Sequence, residues 1–320
     1  MRAVVTGAAG FVGSHLCTHL LDQGDEVVGI DCLTDYYDPR RKEANLATLR
    51  GRPGFTEQRV DLTAAALPSI FDSADVVYHL AAQPGVRASW GEDFPAYLNR
   101  NVLATQRVLE AAREVSLWKL VFASSSAVYG DAQTYPMTED TRPRPISPYG
   151  ATKLAAENLC ELYRATSGVP TVSLRLFTVY GPRQRPDMAL TRLVECALDR
   201  QPFLLYGDGE QTRDFTYVGD VVHAMRQAAL SPWTGVANIS GGSRTTLNEV
   251  IAKVRRLTGG LDVVQLPAQR GDVRHTAADT TAARAAFGFD PRVGIDEGLV
   301  RMLDAARDSY ALPGSTATRP

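Results

Sequence analysis

The chain has 320 residues, 44% of them hydrophobic, and a formal net charge of −2, which supports one large α/β domain or one domain with a smaller lobe. The small net charge gives no electrostatic case for a nucleic-acid or membrane partner. Four widely spaced cysteines without a CxxC pair, no signal-peptide pattern and no long apolar run predict a soluble cytoplasmic protein with reduced thiols and no metal site.

Short apolar segments alternate with helical patterns through the first 180 residues. Strands are predicted at residues 2–6, 26–31, 55–61, 75–82, 118–124 and 171–177. The main helices are predicted at residues 11–23, 95–115 and 149–167. This alternation predicts an α/β fold with a doubly wound parallel sheet that carries helices on both faces.

The pattern changes after residue 180. Short strands, proline and glycine turns and helices near residues 220–230 and 247–257 predict a smaller C-terminal substrate-binding lobe. We therefore assign residues 1–180 to the doubly wound domain, with some later segments returning to it, and residues 181–311 mainly to the lobe. Residues 312–320 are rich in Pro, Gly, Ser and Thr and are predicted to be a disordered tail.

A glycine-rich turn joins the first strand to the first helix. Gly7, Gly10 and Gly13 have GxxGxxG spacing, which lets the backbone approach a pyrophosphate at the free N–H groups of the helix. Asp31 ends the second strand, where a carboxylate accepts a hydrogen bond from the adenosine ribose. Because a carboxylate repels a 2′-phosphate, these residues favour a Rossmann domain that binds NAD over one that binds NADP. A glycine-rich turn before a core helix and a solvated acid at a strand end stay open as alternatives.

Other residues near the same strand ends are candidates for dinucleotide contacts. Asp61 is placed to meet the adenine amino group, and small side chains at the end of the fourth strand leave room for the cofactor. Each is also consistent with an ordinary turn acid or with sheet packing. The candidates are Phe11, Val12, Asp61, Leu62, Ala81 and Ala82.

Two features suggest acid–base chemistry. Tyr149 and Lys153 are four residues apart in a helical pattern, so both lie on one helix face, where the ammonium lowers the pKa of the phenol. Serines 124–126 end the fifth strand, where doubly wound sheets bind their ligands. Taken singly, the Tyr–Lys pair is more often a surface contact and the serine run a polar turn.

Together and in this order, these motifs resemble the extended short-chain dehydrogenase/reductase family over nearly the whole chain. The resemblance implies NAD as cofactor and a catalytic triad of a hydroxyl residue, tyrosine and lysine. Aligned on the VYG segment at 128–130, the hydroxyl falls on Ser125. Tyr149 would be the base, and Lys153 would bind the nicotinamide ribose and tune Tyr149.

The C-terminal lobe extends the resemblance to nucleotide-sugar binding. The GEQTRDF segment implies that Arg213 contacts the nucleotide diphosphate. The RGD segment implies that Arg270 contacts phosphate and Asp272 the ribose. Phe203 and Tyr206 are implied to flank the uracil ring.

Three stretches resemble UDP-glucuronate 4-epimerases in particular: DYYDP at 35–39, AQPGVR at 82–87, and residues 177–188, which begin FTVYGP and end RPDM. The resemblance implies that a sugar carboxylate is bound. Arg185 would make a charge-assisted contact, and Thr178 and Ser126 would donate from their hydroxyls. Arg87 is a second candidate for binding the carboxylate or a phosphate. The alternative that Arg185 is a surface charge that stabilises its own loop stays open.

The resemblance implies conversion of UDP-glucuronate to UDP-galacturonate through a 4-keto intermediate, in a homodimer paired through residues 95–115 and 149–167. Ser126 and Ala127 stand where dehydratases and UDP-glucuronate decarboxylases of the family carry acids, which disfavours both activities. An epimerase of UDP-glucose or another neutral nucleotide sugar, an oxidoreductase that releases NADH, and a non-catalytic NAD-binding regulator remain alternatives.

Overall fold

The computed structural model describes residues 1–268 and 273–311. The strands in these two ranges, in chain order, are β1 (Arg2–Thr6), β2 (Glu26–Ile30), β3 (Phe55–Gln58), β4 (Val76–His79), β5 (Lys119–Ser125), β6 (Thr171–Leu176), β7 (Val179–Tyr180), β8 (Phe203–Tyr206), β9 (Thr212–Asp214), β10 (Thr216–Tyr217), β11 (Gly235–Ile239), β12 (Arg244–Thr246) and β13 (Val263–Leu266).

The α-helices of the same ranges are α1 (Phe11–Asp22), α2 (Pro39–Ala47), α3 (Leu67–Phe71), α4 (Phe94–Tyr97), α5 (Ala104–Glu114), α6 (Pro148–Ser167), α7 (Ala189–Asp199), α8 (Val218–Leu230), α9 (Leu247–Thr258), α10 (Thr281–Phe287) and α11 (Ile295–Ala311). The single helix predicted at 95–115 was wrong in detail. A π-helical segment, Leu98–Leu103, separates α4 from α5.

The central sheet has seven strands in the order β11-β6-β5-β4-β1-β2-β3, and each neighbouring pair is parallel. This arrangement confirms the predicted doubly wound fold. The strand order reverses direction at β1, which lies between β2 and β4. In such sheets the ligand crevice forms beyond the carboxyl ends of the strands at this reversal.

Both faces of the sheet are covered because its strands are apolar on both sides. Ala3 and Val5 of β1 face one core together with Leu16 of α1 and Ala224 of α8. Val4, between them, faces a second core with side chains of α5 and α6. Burial of each large aliphatic side chain contributes about 1.5–3 kcal/mol, so these two layers hold the strand ends in place.

The remaining elements build a third core from α7, α9 and α11 with β8, which pairs with β13. Two elements beyond residue 180 return to the first part of the fold. β11 extends the central sheet by pairing with β6, and α8 covers one of its faces. The domain boundary at residue 180 stays a prediction. That prediction allowed for later segments that return to the first domain, and β11 and α8 are such segments.

The four cysteines are free thiols. Across residues 1–268 and 273–311, none of the helices is both long and apolar enough to cross a bilayer. The same ranges contain no cluster of His, Cys, Asp and Glu side chains suited to a metal ion. The tail predicted at 312–320 lies outside the described residues.

Candidate active site

A cavity of about 490 Å³ opens beyond the carboxyl ends of β1, β4, β5 and β6. Most of the residues singled out in the sequence meet around it, although they come from distant parts of the chain. The predicted residues in its lining are Gly7, Gly10, Phe11, Val12, Gly13, Asp31, Asp61, Leu62, Ala81, Ala82, Ser125, Ser126, Tyr149, Lys153, Thr178, Arg185 and Arg213.

The glycine turn is too tight for side chains at two positions. Gly7 has φ +74°, and a Cβ there would lie 2.8 Å from the backbone nitrogen of Ala81. A Cβ on Gly13 would lie 2.0 Å from the carbonyl oxygen of Gly7. α1 begins directly after the turn, with no side-chain cap and no acidic residue in its first turn, so its N–H groups suit a pyrophosphate.

Asp31 is held beside this turn. Its Oδ2 accepts from the Ala9 backbone N–H at 3.1 Å, and its Oδ1 accepts from the Leu33 N–H at 2.8 Å. A carboxylate has about four acceptor positions, so Asp31 retains capacity for ribose hydroxyls. Asp61 accepts hydrogen bonds from Thr63, which lower its pKa. The turn, the open helix end and the carboxylate at residue 31 together fit NAD.

Helix α6 carries two of the predicted catalytic side chains. It begins where the Ser147 hydroxyl accepts from the Gly150 N–H at 3.1 Å, with Pro148 in its first turn. Tyr149 and Lys153 therefore lie one turn apart and both line the cavity. Ser125 ends β5 opposite them, and its Oγ accepts from the Ala127 N–H at 3.1 Å, which leaves the hydroxyl proton for donation.

Opposing effects act on the pKa of Tyr149. Burial raises the pKa of its phenol, whereas the hydrogen bond from Ser125 and the positive charge of Arg185 lower it. Burial lowers the pKa of Lys153 to about 8, and its Nζ donates to the Ala123 carbonyl at 2.7 Å. In this conformation Lys153 is anchored to β5, and Arg185 is the cation that favours the phenolate.

A buried polar network behind these residues was not foreseen from the sequence. The Ser124 hydroxyl donates to Glu157 at 2.6 Å, and Arg175 pairs with the same carboxylate at 2.6 Å. Arg175 also donates to the Tyr129 hydroxyl, which donates to Asn238, both at 2.7 Å. The network joins β5, β6, β11 and α6 where the catalytic side chains emerge. One feature of the sequence could have indicated this network: Glu157 follows Lys153 by four residues, so both lie on the same face of α6.

Arg185 approaches the cavity from the loop that precedes α7. Its Nε and Nη2 donate to the two carboxylate oxygens of Asp187, at 3.0 and 2.9 Å. Thr178, between β6 and β7, and Ser126, at the start of a 3₁₀ turn, line the same space. The cavity lining therefore includes a guanidinium and two hydroxyls that suit a carboxylate.

The predicted uracil contact of Phe203 was wrong for this structure. Its side chain is 2% exposed because β8 turns it into the third core. Tyr206, three strand positions on, faces the opposite way, and the Arg87 guanidinium carbon lies 4.6 Å from its ring centroid. Arg270 and Asp272 lie outside the described residues.

Two cations of the cavity lining were missed. Lys42 of α2 donates to the Thr34 carbonyl at 2.7 Å. Arg100 comes from the π-helical segment and donates to Gln83 at 2.6 Å. No motif marks either residue, and α-helical periodicity misplaces Arg100 because the extra residue of a π turn rotates the side chains that follow it.

A doubly wound sheet with a glycine turn and a Ser–Tyr–Lys set around one cavity defines a dinucleotide-dependent α/β enzyme. The chain belongs to the NAD dependent epimerase/dehydratase family, whose model matches residues 3–240. This finding confirms the family resemblance drawn from the sequence.

Several close relatives have been solved or described. UDP-glucuronic acid 4-epimerase from Bacillus cereus, solved with UDP-glucuronic acid and NAD, is 40% identical, with a TM-score of 0.93 over 97% of this chain and 100% of that one. MoeE5, solved with NAD and either UDP-glucuronic acid or UDP-glucose, is 43% identical, with a TM-score of 0.88 over the same shares. An uncharacterised UDP-glucose epimerase of Bacillus subtilis is 42% identical over 95% of this chain and 97% of its own length.

Proposed function

We propose that this chain is an NAD-dependent isomerase that converts UDP-glucuronate to UDP-galacturonate. The observation that carries the proposal is the presence of two sets of groups in one cavity. Tyr149, Ser125 and Lys153 supply an acid–base set, and Arg185 supplies a cation for a sugar carboxylate. The likeness to the Bacillus cereus enzyme supports the same substrate.

When bound, NAD would supply reversible hydride transfer at the sugar C4, so the reaction would pass through a 4-keto sugar; the glycine turn, Asp31 and Lys153 would hold the cofactor. Tyr149 Oη takes the proton of the C4 hydroxyl and later gives it back. Ser125 Oγ hydrogen-bonds the same sugar oxygen and limits where the proton moves. Lys153 would bind the nicotinamide ribose; in this structure its Nζ donates to the Ala123 carbonyl at 2.7 Å.

The glucuronate substrate adds a hazard, because its 4-keto form is a β-keto acid that loses carbon dioxide when the carboxylate bond aligns with the ketone. Arg185, Thr178 and Ser126 hold that carboxylate out of alignment. Ser126 and Ala127 also supply no acid for elimination. The anchoring retains the carboxylate, and the lack of an acid at these two positions disfavours dehydration.

The nucleotide half of the substrate is held by the C-terminal lobe. Arg213 lines the cavity and contacts the diphosphate, and Arg87, stacked on Tyr206, is the second phosphate or carboxylate contact. Arg270 on phosphate and Asp272 on the ribose complete this proposal. Much of the positioning of C4 then comes from binding the distant nucleotide.

UDP-glucose is the second candidate substrate. The Bacillus subtilis relative carries that name and MoeE5 binds UDP-glucose, while Arg185 already has a carboxylate partner in this chain. Arg185→Ala separates the candidates. It should lower kcat/KM for UDP-glucuronate by about 10- to 100-fold, the value of a charged hydrogen bond, and change that for UDP-glucose by only about twofold.

The control for this comparison is Arg307→Ala, which removes an exposed arginine of α11 that pairs with Asp304. Steady-state rates with both nucleotides measure the effect. Equal losses with the two substrates, or a wild-type preference for UDP-glucose, would favour the neutral-sugar epimerase.

We also propose a cytoplasmic homodimer. Exposed leucines lie along the two helical segments that the family resemblance assigns to the dimer: Leu98, Leu103 and Leu162. Pairing of these segments across a two-fold axis removes this apolar surface from water. The free thiols of the four cysteines are in keeping with a reducing compartment.

A further inference from the structure

Arg185 lines the cavity and forms an ion pair with Asp187, two residues further along the chain. Its two hydrogen bonds use both carboxylate oxygens, at 3.0 and 2.9 Å. The Arg185 side chain is 20% exposed and that of Asp187 is 37% exposed. The Asp187 carboxylate therefore binds the same guanidinium that, in the proposed function, binds the carboxylate of the sugar.

Tyr36 lies beside this ion pair. Burial raises the pKa of the Tyr36 phenol, and the neighbouring Asp187 carboxylate raises it further, so Tyr36 stays a hydrogen-bond donor. The phenol oxygen lies so close to Gly85 that a Cβ at that position would be 2.2 Å from it. Tyr97 fixes that backbone by donating to the carbonyls of Pro84 and Gly85, at 2.8 and 2.9 Å.

We propose that Asp187 is a specificity-determining residue that acts as an internal substitute for the sugar carboxylate. This inference rests on the proposed function, in which Arg185 binds glucuronate. With a neutral sugar in the cavity, Asp187 keeps Arg185 paired. With glucuronate in the cavity, the sugar carboxylate shares or takes over the guanidinium in competition with Asp187.

The competition has a defined electrostatic sign. A guanidinium has five N–H donors, so two carboxylates can both reach it, but they repel each other across it. Removing the charge of Asp187 removes that repulsion and strengthens binding of the acidic sugar. In the variant, a neutral sugar that displaces water from Arg185 leaves the guanidinium with neither a charged partner nor solvent, which weakens binding of that sugar. Asp187 thus strengthens the binding of neutral nucleotide sugars and reduces the preference of the site for acidic ones.

Isothermal titration of the NAD-loaded protein with UDP-glucuronate and with UDP-glucose tests this. For Asp187→Asn we expect the Kd of UDP-glucuronate to fall about fivefold to tenfold and that of UDP-glucose to rise about threefold, shifts of opposite sign. Asp304→Asn is the matched control, since it removes one negative charge from an exposed pair on α11 and should leave both constants within about twofold.

A double variant shows whether the effect passes through Arg185. Asp187→Asn added to Arg185→Ala should change neither constant, because the residue on which Asp187 acts is gone. The inference is overturned if Asp187→Asn weakens binding of both nucleotides, leaves both constants unchanged, or still shifts either constant when added to Arg185→Ala. Turnover is scored separately. A wild type that binds both nucleotides but epimerises neither overturns the proposed function, while the ratio of the two binding constants still decides the role of Asp187.

Discussion

At the scale of single residues, the chemistry depends on the Tyr149 hydroxyl. Its pKa is lowered by the hydrogen bond with Ser125 and by the charge of Arg185. Tyr149→Phe removes the oxygen that moves the C4 proton and little else. We expect kcat to fall by about 10²- to 10⁴-fold, the usual contribution of a positioned acid–base group. The measurement is conversion of UDP-glucuronate, with bound NAD assayed on the same sample to show that the cofactor site is intact. Unchanged activity would favour a different base.

Lys153 gives a pH-dependent prediction. Its pKa in the folded protein is lowered from 10.5 to about 8, because burial disfavours the charged form. Below pH 8, burial of the charged Lys153 side chain lowers the free energy of unfolding by its full amount. As the pH rises to 10.5, Lys153 loses its proton and this destabilisation disappears. The difference corresponds to about 3 kcal/mol.

Urea unfolding of nucleotide-free wild type and Lys153→Met across this pH range measures the effect. We expect the free energy of unfolding of the wild type, relative to the variant, to rise between pH 8 and 10.5. A difference between the two proteins that does not change with pH would contradict the lowered pKa.

The sequence pointed to these catalytic side chains because their spacing on a helix and at a strand end is local information. It did not place Phe203 correctly, since which face of β8 meets the third core depends on the packing of α7 and α9. It also gave no sign that Asp187 pairs with Arg185, because a polar loop of this length folds in many ways. Local patterns set the candidates, and tertiary packing decided which of them reach the cavity.

At the scale of elements, the buried pair of Glu157 on α6 and Arg175 on β6 holds the catalytic helix against the sheet. Glu157→Gln leaves the Arg175 charge without a counter-ion in the interior. We expect a loss of about 3–5 kcal/mol in the free energy of unfolding. Glu161→Gln, which breaks an exposed pair on the same helix, should cost less than about 1 kcal/mol.

Urea denaturation of both variants provides the comparison. Equal, small losses would mean that the network does not stabilise the junction between helix and sheet. The sequence predicted α6 and β1 to β6 of the central sheet to within a few residues because their apolar patterns are strong. It missed the π-helical break at Leu98–Leu103 because a π turn has no distinctive composition.

At the scale of the whole molecule, the exposed leucines of α6 and of the segment that joins α4 to α5 predict a dimer. We expect sedimentation to give a dimer for the wild type and a monomer for Leu162→Arg, since a charge at the centre of an apolar interface stays unpaired. Leu257→Arg, on exposed α9, is the control and should remain dimeric. A monomeric wild type, or a dimeric Leu162→Arg, would contradict this arrangement.

The doubly wound class of the fold and six of the seven strands of the central sheet could be predicted from the alternation of apolar strands and helices. The return of β11 to the central sheet could be predicted only in outline, because nothing in its five residues distinguishes it from the short strands around it. The crevice at β1 follows from the strand order, so most of the candidate site was predictable once the strands were known.

The account is tested most directly by incubating the purified protein with UDP-glucuronate deuterated at C4, without added cofactor. We predict UDP-galacturonate that keeps the deuterium at C4, because the hydride removed from the sugar is returned to the same carbon without exchange with solvent. Loss of the deuterium to solvent, or a UDP-pentose as the main product, would contradict the account.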